Sequence, residues 1–286
     1  MYLLAIETTG AYASVALMKD GRIVGRLQGR DRFSHLQNLI PQIDAVVKDH
    51  KLSLGDLDAI AVSRGPGSFT GIRIGVSTAR ALSQALKIPC VPVPTLEALA
   101  MNPLLSPEAE AVDKTEAADL QPGGSDFADI LICPILDARR SQVYGGGYFL
   151  RSGLPVEKIK GGAYTIEEFL SEAAAYHRIL LLGDGSDACR EKIQMLRPAG
   201  TETAPENIRY QQAVSVAKLG ATLFQEQGGC GYQELKPEYM RLAEAERKLA
   251  ERRAAERGEG TPDPAAGPAP AEQPAATGEG QEKGGL

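Results

Sequence analysis

Short apolar runs broken by glycine- and proline-rich turns alternate with stretches of helical spacing along the first hundred residues. "YLLAI" reads as a buried strand, and "SVALMKDGRIVGRLQG" as two strands joined at Asp20-Gly21, a dipeptide suited to a tight hairpin. In "SHLQNLIPQIDAVVKDH", Leu36, Leu39, Ile40, Ile43, Val46 and Val47 recur at helical spacing. Ser34 is placed as its N-cap, and Pro41 is expected to kink or break it. "LDAIAVS" is a further strand that runs straight into the glycine-rich "RGPGSFTG". "TGIRIGVSTARALSQALK" then reads as one helix, and "IPCVPVPT" as an extended segment whose prolines favour a sheet edge.

Residues 106–128 are acidic, alanine-rich and poor in large apolar side chains, which predicts an exposed insertion or linker. The pattern then restarts with strand "ILICPILDA", turn "RRSQ", strand "VYGGGYFL", helix "TIEEFLSEAAAYHR" and strand "ILLLGDGS". Two helices follow, "DACREKIQML" and "QQAVSVAKLGATLFQEQG". Both halves order hairpin, helix, strand and helix, so the expectation is a duplicated α/β unit. Its first lobe would span residues 1–102 and its second 103–241. From 242 to 286 a charged helix-former gives way to a Pro/Ala/Gly-rich tail with the composition of disorder.

The net charge of −6 argues against a surface built to neutralise many phosphates. Four scattered cysteines without C-x-x-C spacing read as reduced, mostly buried thiols. The N-terminal apolar run lacks the basic flank and length of a signal peptide. No apolar run reaches the roughly 20 residues of a membrane-spanning helix. The expectation is a cytoplasmic protein.

Candidate chemistry is sparse. "GPGSFTGIR" lacks the lysine of a Walker loop, and Gly65, Gly67 and Gly71 are spaced one residue too long for a dinucleotide fingerprint. A tight strand-to-helix turn is the favoured reading of that loop, with an anion site at the helix N-terminus left open. Three histidines, His35, His50 and His177, share no ligand spacing, so no metal site is expected. His35 reads as a helix-surface residue. Ser68 has neither the glycine positions nor the histidine partner of a hydrolase nucleophile. Glu7 and Asp137 stand at strand ends, where sites often lie. Gly71, Gly75, Ala79 and Ser83 form one narrow small-residue stripe, which would let a second helix approach closely.

"AIETTGAYASVAL" resembles the first phosphate loop of the actin/sugar kinase/Hsp70 superfold, so Glu7, Thr8 and Thr9 are candidates for a nucleotide, with Gly183 and Gly185 of "LLGDGSD" as the nearest thing to an adenosine-binding glycine turn. The wider set "LLAIETTGAYASVAL", "AVSRGPGSFTGIRIGVSTARAL", "LDARRSQVYGGGY" and "PEYMRLAEAE" resembles the TsaB (YeaZ) family over roughly residues 1 to 245. That resemblance implies a two-lobed actin-like α/β fold and a non-catalytic role in making N6-threonylcarbamoyladenosine in tRNA. It further implies a TsaD-like transferase and a TsaE-like ATPase as partners, with tRNA met only through the complex. No cofactor is implied, and self-pairing of the isolated chain is left open. TsaD-like paralogues carry a His-x-x-x-His metal pair where this chain has "CVPVPTLEALA". The resemblance places the partner surface on the helix after the glycine loop and on that beginning near His35. The residues proposed there are His35, Leu39, Gly67, Phe69, Gly71, Arg73, Gly75 and Ala79. An ATP-dependent small-molecule kinase of the same superfold and a peptidase are the alternatives weighed against it.

Overall fold

The computed structural model describes residues 1–29, 34–105, 127 and 129–240. Apart from Phe127, the acidic stretch and the extension from 242 onward lie outside the described residues.

The first half supplies β1 (Tyr2–Glu7), β2 (Ser14–Lys19), β3 (Arg22–Gln28), α1 (His35–Asp49), β4 (Ala59–Gly65), α2 (Phe69–Leu86), β5 (Cys90–Pro94) and α3 (Thr95–Ala100). The second supplies β6 (Leu131–Asp137), β7 (Gln142–Arg151), β8 (Leu154–Thr165), α4 (Ile166–Ala173), β9 (Ile179–Leu182), α5 (Gly185–Ala188), α6 (Arg190–Leu196), β10 (Thr201–Thr203), α7 (Glu206–Arg209) and α8 (Ala213–Gln227). Two five-stranded mixed sheets result, ordered β3-β2-β1-β4-β5 and β10-β9-β6-β7-β8. In each, a meander of three antiparallel strands is continued by two parallel ones, so the two orders correspond strand for strand. The Asp20-Gly21 turn lies where the dipeptide predicted it, both residues at positive φ. β5 lies at an edge of its sheet.

β1 is buried on both faces, and its alternation assigns each residue to a layer. Leu4 and Ile6 join Val15, Leu17, Ile60 and Val62 against α1 and α2. Leu3 and Ala5 face the opposite way, joining Ala61, Val91 and Val93 in a core shared with α3 and α8. That same core takes Ile132, Leu136, Tyr148 and Leu182 from the second sheet. The far face of the second sheet packs Cys133, Ile135 and Leu181 against Phe169 and Leu170 of α4 and Ile193 of α6.

Several sequence expectations shift. α1 runs through Pro41 as one helix, and Ser34 occupies the N-cap position without a side-chain capping bond. β8 and β10 are strands that the sequence pattern did not reveal. α8, placed by sequence order in the second lobe, packs on β1, β2, β4 and β5 of the first sheet. Gly220 makes that approach feasible, since a Cβ there would lie 2.6 Å from the Ala61 Cβ. α3 follows the first sheet in sequence yet packs on β6 and β7 as well as on β4 and β5.

Asn102 ties these pieces together from a fully buried position. Its Nδ2 donates to the carbonyls of Ile208 (2.8 Å) and Tyr210 (2.7 Å), and its Oδ1 accepts from Ser215 Oγ. Asn102→Ala strands all three partners in a dry site, at a cost of about 1–3 kcal/mol per unpaired group. Urea unfolding is the measurement: the midpoint should fall with an unchanged m-value.

Candidate functional site

The C-terminal ends of β1 and β4 meet at a buried polar knot. Glu7, Thr8, Thr9 and Ser63 are all buried. Glu7 Oε1 accepts from the Thr9 amide and the Thr9 hydroxyl (2.6 Å), and Oε2 accepts from Ser63 Oγ. Burial pushes the Glu7 pKa above its ordinary value, and the hydrogen bonds from Ser63, Thr9 and Gly10 oppose that rise.

Thr8 connects the knot to α2. Its Oγ1 donates to the Gly71 carbonyl at 2.7 Å, and the Ser68 amide donates to the Thr9 carbonyl at 2.8 Å. Ser68 caps the helix by accepting from the Gly71 amide at 3.2 Å. A Cβ at Gly71 would lie 1.9 Å from the Thr8 carbonyl oxygen, and one at Gly75 would lie 2.3 Å from Thr8 Oγ1. A Cβ at Gly67, at φ +149, would lie 2.7 Å from the Thr9 carbonyl oxygen. Gly10, on the other side of the turn, is covered by the Gln211 side chain. Burial lowers the His35 pKa, and the Gly10 backbone opposes that fall.

The second lobe treats its own glycine turn the same way. A Cβ at Gly183 (φ +90) would lie 2.1 Å from the Ile135 carbonyl oxygen, and one at Gly185 2.8 Å from it. Asp184 Oδ1 accepts from the Asp137 amide at 3.1 Å. Burial raises the Asp184 pKa, with Asp137 and Asp187 adding to the rise. Asp187 accepts from Arg190 (2.8 Å), Arg209 (3.0 Å) and the Tyr210 hydroxyl (2.8 Å). The five nucleotide candidates Glu7, Thr8, Thr9, Gly183 and Gly185 are therefore engaged with their own lobes. Among the described residues no group of three or more His, Cys, Asp or Glu side chains is placed to hold a metal.

The small-residue stripe requires a correction. Gly71, Gly75, Ala79 and Ser83 are buried against their own lobe, with Thr8 and Val62 as the neighbours of Gly75. A strand end and its turn approach Gly71 and Gly75, while Ala79 and Ser83 meet Cys90 and Ile88. His35 and Leu39 are likewise buried on the inner face of α1, with Ile43, Val46 and Val47. What α1 exposes is Leu36 (76%) and Ile40 (55%), one turn apart on the same face. Both stand in the apolar pattern of the sequence, each one position after the His35 and Leu39 expected at the partner surface. On α2, Arg73 is exposed and stacks 3.9 Å over the Phe69 ring, with its Nε donating to Tyr239 Oη at 3.0 Å. Phe69 and Tyr239 pack at 4.9 Å, so the segment after α8 returns to the start of α2. Arg64 and Glu238 pair at 2.9 Å beside it.

Two lobes of corresponding strand order, joined through a shared core and bearing glycine turns at their strand ends, define a protein of the actin/sugar-kinase fold. Two solved structures from Pseudomonas aeruginosa share it. One is a protein described as similar to peptidase YeaZ (TM-score 0.68, 25% identity, covering 84% of this chain and 99% of that one). The other is YeaZ itself (TM-score 0.66, 23% identity, covering 83% and 99%). Residues 32–165 match a family model described as TsaD, tRNA N6-adenosine threonylcarbamoyltransferase. The Bacillus subtilis tRNA threonylcarbamoyladenosine biosynthesis protein TsaB is 30% identical over 257 residues, covering 88% of this chain and 99% of its own. The chain belongs to the TsaB family.

Two outcomes follow from this packing. Gly75→Leu must push α2 off Thr8, so the melting temperature of the monomer should drop, overpacking of this kind costing about 1–3 kcal/mol. An unchanged melting temperature would refute the close contact. Glu7 has a raised folded pKa, so the folded chain binds a proton that the unfolded chain does not. Its contribution to stability is present at acid pH and is lost as pH rises through the raised value. Unfolding of Glu7→Gln followed across that window should lack this component, at most about 1.4 kcal/mol per pH unit for one proton.

Proposed function

We propose that this chain is a non-catalytic subunit of the apparatus that makes threonylcarbamoyladenosine in tRNA. It docks a TsaD-like transferase and, in the assembled complex, a TsaE-like ATPase, and it meets tRNA only through that assembly. One observation carries the non-catalytic reading. The place where an actin-type protein would receive phosphates is filled by the chain's own groups. The Thr9 amide is bonded to Glu7, the Ser68 amide is bonded to Thr9, and Gln211 covers Gly10. The TsaB family membership supplies the pathway.

The docking surface is the outer face of α1 with the exposed side of α2. Leu36 and Ile40 are two large apolar side chains on one face of α1, and α2 contributes Arg73, an exposed cation stacked on Phe69. Apolar anchors with arginine are the usual energetic centre of such contacts. Phe69, Gly67 and the stripe act behind this face by fixing where α2 starts. When the partner is absent, the same face is available for self-pairing.

Reconstitution tests the reading. Purified chain with tRNA and threonylcarbamoyl-adenylate should yield no modified nucleoside until a TsaD-like subunit is added; turnover by the chain alone would refute it. The double variant Leu36→Asp, Ile40→Asp should weaken partner binding by tenfold or more, about 1.4 kcal/mol. Its melting temperature should be unchanged, because both side chains are exposed.

A further inference from the structure

β5 does not end the first sheet in hydrogen-bonding terms. The Cys90 amide donates to the Cys230 carbonyl at 2.9 Å, and the Cys230 amide donates to the Cys90 carbonyl at 2.8 Å. The two cysteines are therefore directly opposite each other in an antiparallel pair. In such a hydrogen-bonded pair the Cα atoms lie about 5.5 Å apart, inside the range of about 4.4–6.8 Å that a disulfide spans. Opposed residues project from the same face of a sheet. Here both thiols pack into the apolar layer beneath α1 and α2, where Cys90 Sγ lies 3.7 Å from the Ala79 carbonyl oxygen. Burial raises the Cys230 pKa, and the neighbouring Cys90 adds to the rise. Both cysteines are free, Cys90 fully buried and Cys230 partly exposed.

Cys230 opens the segment that returns to the glycine loop. Leu235 is buried beneath it, the Glu238 amide donates to the Arg64 carbonyl at 2.7 Å, and Tyr239 rests on Phe69. We propose that Cys90 and Cys230 form a reversible cross-strand disulfide on exposure to a peroxide, pinning residues 228–240 to β5.

Cys230 reacts first because it is the more exposed of the two, and its raised pKa keeps the thiolate fraction small and the reaction slow. Its sulfur attacks a peroxide oxygen, the O–O bond breaks, and a sulfenic acid and one water are formed. Cys90 Sγ then attacks the Cys230 sulfur. The S–O bond breaks, and a second water leaves with the Cys90 proton. Two thiols have lost two electrons, and hydrogen peroxide has become two waters. A thiol reductant reverses the bond by exchange, readily so because a hydrogen-bonded ladder pair gives little freedom to relax its geometry.

The test treats the full chain with hydrogen peroxide, then alkylates the thiols after denaturation. Free thiols should fall from four to two, with a mass loss of about 2 Da and recovery in dithiothreitol. A peptide map should join Cys90 to Cys230, and amide exchange over 229–240 should slow by about tenfold. Cys230→Ser should keep its three remaining thiols at the same peroxide dose. Four persisting thiols, a terminal sulfinic acid on Cys230, or a bond through Cys133 or Cys189 would overturn the proposal. So would a Cys90–Cys230 bond that leaves amide exchange unchanged.

Discussion

Thr8 brings its main-chain carbonyl against Gly71 and its hydroxyl against Gly75 so closely that only glycine fits at either position. The hydroxyl of the same residue bonds the Gly71 carbonyl, which makes the approach directional as well as close. Much of the first lobe is referred to this contact. It sets where α2 begins, and so where Arg73 and Phe69 stand and where Tyr239 can rest. It also holds the β1 turn in place, so that Glu7 can gather the Thr9 and Ser63 hydroxyls. Glycine inside a helix costs about 1 kcal/mol against alanine. Two of them in consecutive turns are offset here by a strand end that could not otherwise come so near.

The same contact leaves the turn after β1 filled by the chain's own groups. Open α/β sheets usually bind ligands beyond the C-terminal ends of their parallel strands. In this chain those ends are filled from within, by Thr9 and Gln211 in one lobe and by Ile135 and Asp184 in the other. The glycine spacings survive, but their freedom is used for main chain against main chain. The exposed chemistry therefore lies on helix exteriors, as an apolar pair on α1 and a stacked arginine on α2.

Much of this was legible in the sequence, and the rest was not where the local pattern is ambiguous or the neighbour is distant. The Asp20-Gly21 hairpin, α2 and the edge position of β5 are written in local turn chemistry and periodicity. The stripe at Gly71, Gly75 and Ala79 announces a close neighbour but not its identity, since a strand end serves as well as a helix. α1 carries more apolar residues than one buried face needs, so periodicity alone could not say that Leu39 turns inward and Leu36 outward. β8 escaped notice because Pro155, Gly161, Gly162 and three charged residues interrupt its alternation. α8 was given to the wrong sheet because a contact across some 150 residues leaves no local mark. The filling of the β1 turn by Gln211 was hidden for the same reason.

α8 serves the sheet from which it is farther in sequence, and α3 packs on both sheets. The inner face of the first sheet, completed by residue 94, is covered largely by a helix that begins at residue 213. Neither half can close its own core, so a chain cut between them would leave an apolar sheet face open to water. Pairings this distant must overcome a large loop-closure entropy before they return any energy, which delays folding. During synthesis the N-terminal half must therefore wait, its strands formed but half clothed, until nearly all of the described chain has emerged. The lobes are a description of shape; the described residues of both halves close one shared core.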